Sequence, residues 1–368
     1  MNNLRAVVID DTIVYRKIVG DVLKTIPGIE VVATANNGKI ALSKIKTLKP
    51  DLITLDIEMP EMNGIQVLEE LQGLESPPAV IMLSTLTREG SEMTIRALEL
   101  GAFDFVPKPE EGRMADNLEK VKAAIVPIVT ALKRQKGTVQ RIRGNRMPPS
   151  PAPSPREKPQ ISQSRIIRKT TGVLKSSSEI VGIGISTGGP NALTQMIPML
   201  PAGLKAPVLI VQHMPPMFTA SLASSLDKKS RLEVKEAQDG DTIQSGKVFI
   251  APGGKQMKIV AAADGVSRKI KITDDPPENS CKPSVDYLFR SIAQHYVGRA
   301  TGVIMTGMGS DGSKGLVQMK ESGSFVIAQD EATCTVFGMP KEPIESGIAD
   351  VIVPLPQIAD EIVKSIAK

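Results

Sequence analysis

Residues 4–35, LRAVVIDDTIVYRKIVGDVLKTIPGIEVVATA, decide the fold of the first half of the chain. An apolar, β-branched run ending in two acids (LRAVVIDD, 4–11) gives way to an amphipathic stretch (VYRKIVGDVLKTI, 14–26) and then to a second run (IEVVATA, 29–35). This change of apolar period predicts strand, helix, strand. The rhythm continues through GKIALSKIKTL (38–48), DLITLDI (51–57), a helix after Gly64, AVIMLS (79–84), EMTIRALELG (92–101), FDFVPK (103–108) and a helix near 116–133. Five strands, each followed by a helix, imply a doubly wound parallel sheet, because right-handed crossovers place helices on both faces.

Binding residues of such sheets collect at strand ends. Asp10 and Asp11 close the first strand, Asp56 the third, Ser84 the fourth and Lys108 the fifth. Acids gathered at one edge repel unless they share a cation, and a hard ion such as Mg²⁺ prefers carboxylate oxygens. A lysine and a hydroxyl beside them suit a phosphoryl group. Single acids at these positions would merely cap helices; five polar residues in this order carry the functional reading. VVIDD, LDIEMPEMNG, MLST and FVPKP together resemble response-regulator receiver domains, with their flavodoxin-like fold. The resemblance implies that Asp56 accepts phosphate from a histidine kinase, and that Asp10, Asp11 and the Glu58 carbonyl complete the Mg²⁺ site with Asp56. It also implies that Ser84 and Lys108 contact the phosphoryl group and that Phe105 changes rotamer with Ser84.

The chain has 368 residues and a net charge of +5. Residues 1–133 hold 15 Lys and Arg against 19 Asp and Glu (−4), residues 134–178 hold 11 against 1 (+10), and residues 179–368 hold 19 against 20 (−1). The basic excess thus belongs to residues 134–178, where Pro148, Pro149, Pro151, Pro153, Pro155 and Pro159 lie and no aromatic residue occurs. This predicts an extended linker between domains 1–133 and 179–368. Nucleic-acid binding is not expected, since neither domain is basic and no helix-turn-helix is apparent. No apolar run approaches the roughly 18 residues of a membrane span, and the N-terminus lacks a signal-peptide layout, so a cytoplasmic protein without membrane insertion is expected. Two cysteines and two histidines cannot supply a usual zinc site.

After the linker the strand–helix rhythm resumes. EIVGIGIS (179–186), PVLIVQH (207–213), stretches near 232–237 and 247–251, TGVIMTGM (301–308), SFVIAQD and DVIVPLP read as strands. SVDYLFRSIAQHY (284–296) reads as a helix, and 257–273 as a hairpin turning at Asp264-Gly265. A second doubly wound, Rossmann-like α/β domain with an inserted β-hairpin is expected.

Gly184-Ile185-Ser186-Thr187-Gly188 matches G-x-S-x-G at a strand-to-helix turn, where a serine hydroxyl can stand clear. The same stretch from Gly182, as G-x-G-x-x-x-G, also fits a dinucleotide phosphate loop. That loop wants an acid for the ribose at the next strand end, where Gln212-His213 stands instead. Imidazole suits a general base for serine, and His213 ends a strand, whereas His295 sits late in a helix. Asp311, in TGMGSDG, is the best orienting carboxylate, because Gly307, Gly309 and Gly312 permit a tight loop; Asp239, Asp241, Asp274 and Asp275 read as solvated. Cys281, near His295 in sequence, reads as a small buried cysteine rather than a thiol nucleophile.

GISTGGP, VQHMPP, APGG, KPSVDYLF and TGMGSDG together resemble the catalytic domain of chemotaxis-specific protein-glutamate methylesterases. The resemblance implies Ser186 as nucleophile, His213 as base, Asp311 as its orienter and the Met308 N–H as an oxyanion donor. It further implies hydrolysis of glutamate γ-methyl esters and deamidation of glutamines on chemoreceptor cytoplasmic helices, without a cofactor for that chemistry.

Overall fold

The computed structural model describes residues 3–109, 113–144, 167–168 and 177–367. In the first half, strands β1 (Leu4–Ile9), β2 (Ile29–Ala35), β3 (Leu52–Asp56), β4 (Ala79–Ser84) and β5 (Asp104–Pro107) form a parallel sheet in the order β2-β1-β3-β4-β5. Helices α1 (Ile13–Lys24), α2 (Gly38–Leu48), α3 (Gly64–Leu71), α4 (Arg88–Glu99) and α5 (Met114–Gly144) cover it. Ala6 to Ile9 and Leu52 to Leu55 are wholly buried, as strands sandwiched between helices on both faces must be. The chain winds one way from β1 to β2 and the other way from β1 to β3, which opens a crevice beyond Asp10 and Asp56.

The second half carries β6 (Ile167–Arg168), β7 (Ile180–Ile185), β8 (Val208–Gln212), β9 (Glu233–Glu236), β10 (Lys247–Ile250), β11 (Gln256–Ala261), β12 (Arg268–Thr273), β13 (Ala300–Ile304), β14 (Phe325–Gln329) and β15 (Val351–Val353). Its main sheet runs β6-β15-β14-β13-β7-β8-β10-β9, parallel except for β6. Helices α6 (Gly189–Met196), α7 (Phe218–Asp227), α8 (Val285–His295), α9 (Ser313–Glu321), α10 (Lys341–Glu345) and α11 (Leu355–Ile366) complete it. The β11–β12 hairpin is the expected insertion, and Asp264 accepts the N–H groups of Val266 and Ser267 at its turn. The winding reverses between β7 and β13, and the ends of β8, β7 and β13 meet at one rim.

Two parts of the expected linker are ordered differently. Helix α5 continues past residue 133 to Gly144, because the Lys-, Arg- and Gln-rich stretch before Pro148 contains no proline and propagates the helix already begun. Ile167–Arg168 pairs antiparallel with β15, a tertiary contact that local composition cannot announce. The proline cluster from 148 to 159 lies outside the described residues.

Candidate active site

Ser186 directly follows β7, and its N–H donates to the Thr306 carbonyl at 2.9 Å. His213 follows the neighbouring strand β8, and its N–H donates to the Ile185 carbonyl at 3.1 Å. Buried Gln212 donates through Nε2 to the Ser186 carbonyl at 3.0 Å and the His213 carbonyl at 3.2 Å, so one amide ties the two strand ends together. Sequence reading noticed Gln212 only as a residue that is not acidic. Gly188 starts α6 with φ +76°, and a Cβ there would lie 2.3 Å from Thr335 Oγ1. Gly307 packs closely on the serine, since a Cβ there would stand 2.7 Å from Ser186 Cβ.

Gly182 and Gly184 lie inside β7, not in a loop beyond it. Added Cβ atoms would meet Ile292 at 2.5 Å and Val285 at 2.3 Å, so these glycines let α8 approach the strand. The phosphate-loop spacing therefore has a packing cause.

Asp311 accepts from His213 Nε2 at 2.8 Å. Its other donors are the Val285 N–H (2.7 Å), the Ser284 hydroxyl (2.9 Å), Asn279 Nδ2 (3.0 Å) and the Asp286 N–H (3.2 Å). The carboxylate thus sits on the N-terminus of α8, where exposed amides and the helix dipole favour negative charge. Burial alone would raise its pKa, but these bonds, led by that from His213, hold it at about 2. Burial would likewise depress His213; the bonds to Asp311 and Cys281 instead raise it to about 9. Ser284, the PSVD serine that caps α8, and Asn279 were not singled out from sequence, although a cap before an amphipathic run is a readable sign.

The rival acids are engaged elsewhere: Asp239 pairs with Lys271 at 2.9 Å, Asp241 with Lys235 at 2.9 Å, and Asp274 with Lys255 at 2.7 Å, while Asp275 accepts from Tyr287. His295 bonds the Ile259 backbone on the hairpin. Cys281 does not join it. The thiol is only partly buried and lies 3.8 Å from His213 Nδ1, because the turn that closes between Glu278 and Cys281 folds over the rim.

A second polar cluster occupies the crevice of the first domain. Carboxylate oxygens of Asp10, Asp11 and Asp56 lie within 4.8 Å of one another. Lys108 Nζ reaches Asp10 at 2.8 Å and Asp56 at 2.7 Å. Burial, with Asp10 and Asp11 adding to it, raises Asp56 to about 6 against the opposing pull of Lys108. Burial would lower Lys108, yet Asp56 and Asp10 raise it. An all-oxygen, triply acidic donor set fits a hard divalent cation. The Ser84 hydroxyl accepts from Thr94 at 2.7 Å, and Glu58 turns its side chain to solvent.

The α4–β5 face of this domain packs on α6 and α7, the helices that follow Ser186 and His213. Phe105 stacks on Phe218 with ring centroids 4.5 Å apart, Ser91 bonds Ser221 at 2.7 Å, and Lys229 pairs with Glu99 at 2.5 Å.

These features define a receiver-type signalling domain joined to an α/β domain with a serine, a histidine–aspartate pair and backbone amides at one rim. The chain matches the CheB methylesterase family over residues 181–362 and the response regulator receiver domain over residues 6–119. The protein-glutamate methylesterase/protein-glutamine glutaminase of Desulfotalea psychrophila is 55% identical over 367 residues, covering 100% of this chain and 99% of that protein. That of Bacillus subtilis is 43% identical over 370 residues, covering 99% of each. The crystal structure of the Thermotoga maritima CheB methylesterase catalytic domain is 44% identical with a TM-score of 0.50, covering 51% of this chain and 99% of that one. The chain belongs to the protein-glutamate methylesterase/protein-glutamine glutaminase family.

Proposed function

We propose that this chain hydrolyses glutamate γ-methyl esters, and deamidates glutamines, on the cytoplasmic helices of chemoreceptors, under control of phosphorylation at Asp56. The observation that carries the hydrolytic reading is the Asp311–His213 bond of 2.8 Å at the strand end beside Ser186. With Nε2–H given to Asp311, the lone pair of Nδ1 is the one available to take the Ser186 proton. The serine oxygen then adds to the ester carbonyl, and backbone N–H groups at the rim, that of Met308 among them, hold the oxyanion. His213 returns the proton to the departing methanol, or to ammonia from a glutamine. Water deprotonated by His213 cleaves the acyl-enzyme and frees the carboxylate.

Asp56 carries the phosphoryl group as an acyl phosphate, with Lys108 and Ser84 contacting its oxygens and a chemotaxis histidine kinase as donor. Asp10, Asp11, Asp56 and the Glu58 carbonyl would hold Mg²⁺, which supplies neutralising charge to the phosphoryl oxygens. Phe105 couples that site to the second domain, because movement of its ring removes the stack on Phe218. The receiver unit comprises residues 1–133 with α5 running on to Gly144, the hydrolase unit comprises residues 179–368 with Ile167–Arg168 added to its sheet, and such substrates would be met in the cytoplasm. Among the described residues no helix is long and apolar enough to cross a membrane.

Methanol release from a methylated receptor fragment, with and without a small phosphodonor, tests the proposal. Release that rises with the donor and vanishes in Ser186→Ala is expected; undiminished release by Ser186→Ala overturns it.

A further inference from the structure

We propose that His213 Nδ1 and Cys281 Sγ form a binding site for a thiophilic divalent cation of the Zn²⁺ class, and that its occupation switches the hydrolase off. The two atoms stand 3.8 Å apart. Bonds of 2.0–2.1 Å to nitrogen and 2.3 Å to sulfur at a tetrahedral angle put such a pair about 3.6 Å apart, so almost no movement is needed. The Cys281 backbone is held by Glu278 on both sides, its N–H donating to the Glu278 carbonyl at 2.8 Å and its carbonyl accepting the Glu278 N–H at 3.1 Å, while the thiol donates to the Asn279 carbonyl at 3.5 Å.

Asp311 completes the only cluster of histidine, cysteine and carboxylate donors within 4.8 Å of one another among the described residues. Its oxygens already accept five donors. It therefore acts behind the imidazole, fixing the ring and raising the basicity of Nδ1, as carboxylates do behind metal-bound histidines. The remaining coordination positions would be filled by water.

The chemistry also sorts the ions. A thiolate–imidazole pair selects soft or borderline cations, while the acids at Asp10, Asp11 and Asp56 select hard ones. On binding, the thiol proton and any proton on Nδ1 leave to solvent, and the Nδ1 lone pair goes to the metal instead of to the serine proton. Inhibition thus rests on the proposed role of His213, whereas binding does not.

The test uses the full chain with excess Mg²⁺ to fill the receiver carboxylates. Zn²⁺ uptake is measured by equilibrium dialysis for the parent, Cys281→Ser and Cys281→Ala, and ester hydrolysis is titrated with Zn²⁺ relative to each protein's own metal-free rate. Affinity at one Zn²⁺ site per chain should fall by about tenfold or more in both variants, with a matching rise in the half-inhibitory concentration. Iodoacetamide labelling supplies an arm free of substitutions: it reaches partly exposed Cys281 while Cys334 is buried, and Zn²⁺ should protect the parent. Equal affinity in parent and variants, or labelling unaffected by saturating Zn²⁺, overturns the site. Cys281-dependent uptake that leaves hydrolysis untouched overturns the inhibition and counts against His213 as base; if His213→Ala also retains metal-free turnover, the hydrolytic reading itself fails.

Discussion

Phe105, on the last strand of the receiver, lies against Phe218, the first residue of the helix that follows His213, with the two rings inclined by 29°. A side chain adjoining the phosphoryl crevice is therefore also part of the interface with the hydrolase. On the proposed regulation, a rotamer change of Phe105 would be felt at Phe218, because packed aromatic contacts resist gradual deformation.

The Glu99–Lys229 pair tests how firmly the two domains hold each other. Its groups are partly exposed, so it contributes about 0–1 kcal/mol. Glu99→Lys should raise unstimulated hydrolysis by about two- to fivefold, and adding Lys229→Glu should bring it back down. Basal methanol release from the two single variants and the double variant measures this coupling.

Substitution at Asp56 should separate regulation from chemistry. Asp56→Asn is expected to abolish stimulation by a small phosphodonor while leaving the basal rate within about twofold of the parent, since Asp56 contacts only receiver groups.

Ser186→Ala, His213→Ala and Asp311→Asn should each reduce ester hydrolysis by on the order of 10⁴-fold, and combining them should cost little more, because the three groups act together. Single-turnover rates on a methylated receptor fragment would show it.

The pH profile follows from His213. Its pKa of about 9 lies above the ordinary 6.5, so at pH 7 only a small neutral fraction of the imidazole serves as base. From pH 7 to 9 the neutral fraction grows about fiftyfold, and kcat/KM for the unstimulated chain should climb accordingly. Linkage runs the opposite way: a raised histidine pKa stabilises the fold fully below 6.5, and this support is lost as pH rises through 9. A rate plateau reached by pH 7 would falsify the assignment of this limb to His213.

Gly188→Ala should destabilise the second domain by about 1–3 kcal/mol, since it places a side chain at positive φ against Thr335. Denaturant midpoints would record the loss.

Much of this was readable in advance, for identifiable reasons. Parallel strands buried on both faces announce themselves as apolar runs, and polar residues where those runs stop meet in two places: Asp10, Asp11, Asp56 and Lys108 in one crevice, and His213 with Asp311 at the other rim, next to the strand end that carries Ser186. Gln212, Asn279 and Ser284 were not recognised, because a buried amide or a capping hydroxyl reveals its task only when a distant partner comes into reach. Cys281 read as a small buried cysteine but is only partly buried, and the histidine close to it in space lies 68 positions away, beyond the reach of local pattern. Likewise the pairing of Ile167–Arg168 depends on β15, some 180 residues later.

The bond between His213 and Asp311 spans 98 positions of chain, and Asp311 enters the rim only after β13 has docked beside β7. A nascent polypeptide halted near residue 300 would already contain Ser186 and His213 but not the carboxylate that His213 bonds. The raised basicity of that imidazole is thus a property of the nearly finished chain, absent from any shorter segment that ends before Asp311.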